Sequence, residues 1–137
     1  MNKTYQVYQI SDSTGETLDR IFLALKAQFR DFECKTIHYS FTRTENQMNK
    51  IISKCKKSGK LVFADSQSSS QVGDICRFKK MDFISATERE ARISLQNSQD
   101  GLVVLAEKLK FRSETENIFL KLGSQGVLLY LKSNKGN

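Results

Sequence analysis

The amino-acid sequence predicts an α/β protein, a three-layer α/β sandwich with a mostly parallel sheet and a C-terminal β-hairpin. Three observations lead to this fold class. Strand-like and helix-like patterns alternate along most of the 137 residues. The early strand patterns are each followed by a helix pattern, and strand–helix–strand connections favour parallel pairing. Near the end, a Gly-Ser-Gln-Gly sequence separates two apolar segments, which is typical of an antiparallel hairpin.

The first half of the chain indicates a strand–helix–strand–helix order. Alternating residues near the N-terminus predict a strand over 5–11, and the apolar spacing that follows predicts a helix over 14–30. A second strand is expected over 34–41. A second helix begins at Thr44 and ends before Gly59, because glycine suits the left-handed position that follows many helices.

The second half of the chain begins with a compact apolar segment, 61–64, which is typical of a buried parallel strand. Polar residues 65–74 then indicate a long loop at the carboxyl end of that strand. The remaining elements, in chain order, are a strand over 81–84, a helix from Thr87 to Leu95, a helix from Ser98, and strands over 117–120 and 127–130.

Local spacing predicts how several of these elements start and turn. In a capping box, a Ser or Thr side chain and a Glu or Gln side chain three residues later satisfy each other's backbone amides. We expect Gly123 and Gly126 to form the hairpin turn, with Gly126 at a positive φ. The three pairs with capping-box spacing are Ser13 with Glu16, Thr44 with Gln47, and Thr87 with Glu90.

The chain carries a net charge of +7, with lysines concentrated over residues 50–60. A basic patch can attract nucleic acid or a phosphorylated ligand. No aromatic residues interleave with these lysines, so a solvated helix face is favoured over a nucleic-acid interface. No apolar run is long enough to cross a bilayer, and no signal-peptide stretch is present. We therefore expect a cytoplasmic protein without a membrane partner.

The cysteines and the single histidine do not form a recognisable metal or redox motif. Cys34, Cys55 and Cys76 are isolated, and neither a CxxC nor a Cys–His pair occurs. Neither a zinc site nor a disulfide framework is indicated, and no metal ligand is assigned. His38 falls within the predicted strand 34–41, where a packed or surface strand residue is the favoured interpretation over a ligand or base.

The segment 11–17, Ser-Asp-Ser-Thr-Gly-Glu-Thr, joins the first strand to the first helix and has two interpretations. In one, it is a well-capped helix start and nothing more. In the other, the helix dipole and its unpaired amides hold a phosphate. The ligand groups would then be the hydroxyls of Ser11, Ser13 and Thr14 and the amide of Gly15. Spacing alone leaves both interpretations open.

Residues 5–57 resemble the N-terminal part of the bacterial regulatory proteins of pyruvate, phosphate dikinase and phosphoenolpyruvate synthase. The resemblance rests on ISDSTGET at 10–17, AQF at 27–29 and RTE at 43–45. It implies a relative of bifunctional enzymes, which are ADP-dependent Ser/Thr kinases and phosphate-dependent phosphorylases acting on the dikinase or synthase. The nucleotide-binding P-loop of that family lies well beyond this segment, and this sequence contains no GxxxxGK[ST] string.

Three strings in the second half carry another resemblance: GKLVFAD at 59–65, DFISATEREAR at 82–92 and LGSQGV at 122–127. Through these strings, residues 59–131 resemble the middle of PfkB-type (ribokinase-like) sugar kinases. That resemblance implies ATP-dependent sugar phosphorylation, with Asp65, Thr87 and Glu90 near nucleotide and magnesium, and Gly123 and Gly126 at a nucleotide-contacting turn.

The second resemblance has departures. Thr87 stands where the sugar kinases have Asn, and Lys121 stands where they have Thr. Their Gly-rich motif, which supplies the catalytic base and the anion hole, is absent from this sequence. Phosphoryl transfer needs a positioned base and charge-stabilising donors at one centre. We therefore assign no catalytic residue.

The two resemblances predict a regulatory-protein-like segment over 1–57 and a sugar-kinase-like segment over 58–137, and the two segments could pack as one domain. The function expected is that of a kinase-related phosphotransferase fragment without full activity of its own. Its implied cofactor is ATP or ADP with magnesium, and its implied partner is the dikinase or synthase. The alternatives are a sugar kinase fragment and a non-catalytic module that binds a phosphate or a partner. A natural fusion, a truncation and an assembly product all remain open as the origin of this combination.

Overall fold

A computed structural model describes residues 3–29, 32–65 and 73–132 of the chain. The chain divides into two compact units, Met1–Lys54 and Cys55–Asn137. The elements, in chain order, are β1 (Lys3–Ile10), α1 (Glu16–Gln28), β2 (Phe32–Tyr39), α2 (Glu45–Lys57), β3 (Phe63–Asp65), a short 3₁₀ turn (Ile75–Arg77), β4 (Phe83–Thr87), α3 (Glu88–Leu95), α4 (Leu102–Ser113), β5 (Asn117–Lys121), a second 3₁₀ turn (Gly123–Gln125) and β6 (Val127–Tyr130).

In the first unit, β1 and β2 pair in parallel along their whole length, and the two helices lie on opposite faces of this pair. Asp19 of α1 approaches His38, with 3.4 Å between Oδ1 and Nδ1. Lys54 of α2 donates to the Tyr39 hydroxyl at 3.3 Å. Because successive side chains of a strand point to opposite faces, these contacts place one helix above the strands and the other below.

The second unit has four strands in the order β3-β4-β5-β6, of which the first three are parallel and the last is antiparallel. On one face of this sheet, the side chains of the two central strands are fully buried: Ile84 and Ala86 of β4, and Ile118 and Leu120 of β5. The helices contribute Ala91 of α3 and Leu105, Ala106 and Leu109 of α4, all fully buried. The α/β class, the mostly parallel pairing and the C-terminal hairpin are thus confirmed.

The predicted burial of segment 61–64 is wrong for two of its side chains. Leu61 is 66% exposed and Phe63 is 62% exposed, although Val62 between them is buried. The strand β3 is only three residues long and lies at the edge of the described sheet, so few groups cover it. The Phe63 ring stacks on the ring of Phe83 in β4, with 4.4 Å between the ring centroids.

The helix predicted to begin at Ser98 begins at Leu102. The residues between them form a hydrogen-bonded turn. The Asp100 amide donates to Asn97 Oδ1 at 3.0 Å, and Asn97 Nδ2 donates to Asp100 Oδ2 at 2.7 Å. These bonds satisfy backbone and side-chain groups outside a helix, which is why Asn and Asp favour turns. Among the described helices, no segment is long and apolar enough to cross a membrane.

Candidate functional site

The first candidate site is the β1–α1 corner, residues 11–15, which lies at the carboxyl end of β1 beside the carboxyl end of β2. The backbone of the β2–α2 segment, residues 40–43, holds it in place. The amide of Phe41 donates to the Ser13 carbonyl and the amide of Thr42 donates to the Ser11 carbonyl, each at 2.9 Å. The corner is therefore fixed by the neighbouring strand connection and not only by its own helix.

Two side chains of the β2–α2 segment complete this attachment. The Ser40 hydroxyl donates to the Thr14 carbonyl at 2.9 Å, and Arg43 Nε donates to the Asp12 carbonyl at 3.0 Å. The Arg43 guanidinium also lies 5.3 Å from the centroid of the Phe41 ring. Each carbonyl from Ser11 to Thr14 thus accepts a hydrogen bond from residues 40–43. These four backbone carbonyls are therefore satisfied, and the amides of Ser11 and Ser13 are also engaged, with the Tyr39 carbonyl and with Ser11 Oγ.

The predicted capping box of Ser13 and Glu16 is wrong. Gly15 is the N-cap of α1, with a φ of +86°, and no side chain caps this helix. The Ser13 amide instead donates to Ser11 Oγ at 3.2 Å, in a local turn. Glycine tolerates this left-handed backbone, whereas an L side chain would be strained. The hydroxyls of Ser13 and Thr14 therefore remain outside the helix cap, on exposed residues.

The electrostatics of the corner favour an anion in part. The first amides of a helix lack intrahelical acceptors and carry the positive end of the dipole. The guanidinium of Arg43 adds a formal positive charge beside the Asp12 carbonyl, and the Asp12 carboxylate adds a formal negative charge to the same corner. Glu16 and Asp19 in the first helical turn stabilise the helix itself but repel a bound anion. The corner thus combines backbone and hydroxyl donors with one cationic side chain, Arg43, and three acidic ones, Asp12, Glu16 and Asp19.

The second candidate site lies at the carboxyl ends of β3, β4 and β5. Lys121 Nζ donates to both carboxylate oxygens of Asp65, at 2.9 and 3.2 Å. Lys121 is also the register partner of Thr87 on β4. The structure therefore brings three of the sequence-selected positions together, and the Lys that replaces the sugar-kinase Thr neutralises the strand-end Asp.

Thr87 and Glu90 form the predicted capping box, which confirms that interpretation of their spacing. The Thr87 amide donates to Glu90 Oε2 at 2.7 Å, and the Glu90 amide donates to Thr87 Oγ1 at 3.2 Å. Glu90 is 5% exposed. One carboxylate oxygen is thus committed to the start of α3, and the magnesium role implied by resemblance stays a prediction.

Gly123 and Gly126 form the turn between β5 and β6, with φ values of +61° and +95°. The Leu122 amide donates to the Gly126 carbonyl at 2.9 Å, which closes the turn. The positive φ predicted for Gly126 is confirmed. Of the predicted loop over residues 65–74, positions 66–72 lie outside the described residues.

Cys76 lies in surroundings that keep its thiol protonated. Burial raises the pKa of the Cys76 thiol to about 11, and the Asp74 carboxylate adds to this shift. A thiol of that pKa is neutral at physiological pH and is a weak nucleophile. Within the described ranges, no three His, Cys, Asp or Glu side chains form a group that could hold a metal ion.

Sequence reasoning missed three contributors to the first site. Ser40 and Thr42 follow the second strand, where a polar pair gave no motif signal, and only the structure shows that they contact the corner. Gln9 lies within β1 and is buried, although its residue type favours the surface. The same strand carries Gln6 at an exposed position, so the residue type alone gave no signal that Gln9 is buried.

The β1–α1 corner lies at the carboxyl ends of parallel strands, which is where ligands bind in open α/β sheets. The family model described as Kinase/pyrophosphorylase matches residues 7–106. The chain therefore belongs to the kinase/pyrophosphorylase family, as its first resemblance predicted. The match continues past residue 57, and the predicted division into two domains at that point stays a prediction.

Similar curated proteins share the name of pyruvate, phosphate dikinase regulatory protein. The one from Pelagibacter ubique is 61% identical over 57 residues, which are 42% of this chain and 21% of that protein. The one from Lactiplantibacillus plantarum is 28% identical over 81 residues, 57% of this chain and 30% of that protein. The chain thus matches less than a third of the length of either relative.

Similar solved structures include phosphofructokinase-2 from Escherichia coli. Its complex with fructose-6-phosphate matches with a TM-score of 0.56 and 11% identity, over 96% of this chain and 60% of that one. Its tetrameric inhibited form matches with a TM-score of 0.50 and 12% identity, over the same shares. At such identities the likeness shows the fold alone, and it extends over nearly the whole chain.

Proposed function

We propose that this chain is a phosphate-binding part of a protein that regulates a dikinase, and that it is not a kinase when it acts alone. The observation that carries the proposal is the β1–α1 corner, whose four carbonyls from Ser11 to Thr14 are occupied by residues 40–43. A rigid corner of this kind presents donors to a ligand without reorganisation. Membership of the kinase/pyrophosphorylase family supplies the class of ligand.

Each part of the corner would have a separate role. The amides of Gly15 and the first turn of α1 would donate hydrogen bonds to phosphate oxygens, because free backbone amides at a helix start bind anions well. The hydroxyls of Ser11, Ser13 and Thr14 would add donors at the rim. Arg43 would fix the corner and attract the ligand through its charge.

Full kinase activity requires parts that this sequence does not supply. Phosphoryl transfer depends on a nucleotide-binding loop, a positioned base and charge-stabilising donors at one centre. The sequence contains neither a GxxxxGK[ST] string nor the Gly-rich catalytic motif of sugar kinases. ATP or ADP with magnesium, and a dikinase or synthase as partner, are the proposed cofactor and target of the regulatory protein to which this part corresponds.

The proposal is tested by isothermal titration of orthophosphate and ADP into the purified chain and two glycine variants. Gly15→Val places a strained side chain within the corner, where an added Cβ would lie 3.7 Å from Ser11 Cβ and Ser40 Oγ. Gly59→Val imposes a similar left-handed strain at φ +67°, in open space outside the corner. Both substitutions should lower the free energy of unfolding by about 1–2 kcal/mol or more.

We expect Gly15→Val to weaken phosphate binding at least about tenfold, which corresponds to about 1.4 kcal/mol of binding free energy. Gly59→Val should bind as the unmodified chain does. Equal phosphate affinities of the two variants would show that the corner is a helix start and not a phosphate site. Absence of phosphate binding by the folded, unmodified chain would overturn the proposal.

A second candidate function is a nucleotide site of the sugar-kinase type in the second unit. The observation that favours it is the pairing of Lys121 with Asp65 beside Thr87, at the carboxyl ends of three strands. An ammonium group there could attract a phosphate. The Asp65 carboxylate already pairs with the Lys121 ammonium group, so the β1–α1 corner is the better-supported site.

A further inference from the structure

The side chain of Gln9 is buried without a hydrogen-bond partner. The residue is 6% exposed, and in the part of the chain that the structure describes neither Oε1 nor Nε2 has a partner. Buried polar side chains are almost always hydrogen-bonded, so each exception in a folded protein calls for an explanation. A ligand that completes these bonds is one explanation.

Gln9 lies on the face of the β1–β2 pair that α1 contacts. It is the register partner of His38 and lies two residues before Ser11, so the three side chains share one face of the β1–β2 pair. Asp19 of α1 contacts His38 on that face. A Cβ added to Gly15 would lie 3.7 Å from Ser11 Cβ, which places the N-cap over the same face.

A carboxamide differs chemically from every other group of the corner. The helix amides only donate hydrogen bonds, whereas Gln9 offers a donor at Nε2 and an acceptor at Oε1. A fully deprotonated oxyanion would pair with the donors and leave Oε1 without a partner. Hydrogen phosphate carries one P–OH group and can donate to Oε1, while its other oxygens accept from the amides.

We propose that Gln9 is a specificity-determining residue that selects hydrogen phosphate over oxyanions that lack a proton. The inference rests on the proposed phosphate site and adds the identity of its preferred ligand. Sulfate is the sharpest comparison, because it matches hydrogen phosphate in shape and charge and lacks only the proton. A phosphate monoester such as phenyl phosphate also lacks the P–OH group at about pH 8, well above its second pKa.

The experiment titrates orthophosphate, sulfate and phenyl phosphate at about pH 8 into the full chain, with the Gly15 amide resonance as the readout. We expect orthophosphate to bind about tenfold more tightly than the other two anions, because only orthophosphate can donate a hydrogen bond to the buried acceptor Gln9 Oε1. Gln9→Met keeps the length of the side chain and removes both polar groups. In that variant the three affinities should become equal.

The matched control is Gln6→Met, which makes the same change at an exposed position of the same strand. It should retain the preference for orthophosphate. A thermal unfolding curve without anions verifies that both variants are folded. Equal binding of the three anions by the unmodified chain would overturn the role of Gln9 and leave the phosphate site intact. Absence of binding by any of them would overturn both.

Discussion

The two units of this chain differ in what their buried groups are. The second unit has an apolar core in which Ile84, Leu105, Leu109 and Ile118 are fully buried. In the first unit, α1 has no buried residue, and two polar side chains, Gln9 and Thr42, are buried near the strand ends. Polar side chains are buried in both units, but the apolar core of the described residues lies in the second unit, whereas the proposed phosphate corner lies in the first.

The largest expected effect separates the two units by their leucines. Leu105→Ala in α4 should lower the free energy of unfolding by about 2–5 kcal/mol, because it leaves a cavity in a fully buried site. Leu23→Ala in α1 should lower it by less than about 1 kcal/mol, because Leu23 is 63% exposed. Urea unfolding followed by circular dichroism measures both changes.

Equal losses for the two leucine variants would contradict the assignment of the apolar core to the second unit. A loss larger for Leu23→Ala than for Leu105→Ala would reverse it. The two substitutions remove the same atoms from helices, so differences in helix propensity cancel between them.

A smaller effect separates the helix starts. Thr87→Ala removes the capping box of α3 and should lower the free energy of unfolding by about 0.5–2 kcal/mol. Ser13→Ala should change it by no more than about 0.5 kcal/mol, because Ser13 engages the corner through its backbone and caps no helix. Thermal unfolding of the two variants tests the difference. A Ser13→Ala loss as large as that of Thr87→Ala would restore a capping role for Ser13.

Much of the fold could be predicted because its signals are local. Capping-box spacing located the start of α3 at Thr87, and the same spacing located α2, where Gln47 and Thr44 satisfy each other's amides. Gly126 adopts the positive φ that its position in the hairpin demanded. These features depend on residues within a few positions of one another.

The rest depends on contacts between distant residues. Ser13 and Glu16 have the spacing of a cap, yet Gly15 takes that position because residues 40–43 hold the preceding carbonyls. The exposure of Phe63 follows from its place at the edge of a sheet, which periodicity does not reveal. The lack of hydrogen-bond partners for the side-chain carboxamide of Gln9 is likewise visible only in the packed structure.

The most direct test of the phosphate-binding corner is a map of amide resonance changes as orthophosphate is added to the chain. The largest changes should fall at Thr14, Gly15 and Ser40, where the corner meets the segment that fixes it. Changes centred on Asp65 and Lys121, or none in the folded chain, would contradict phosphate binding at the end of β1.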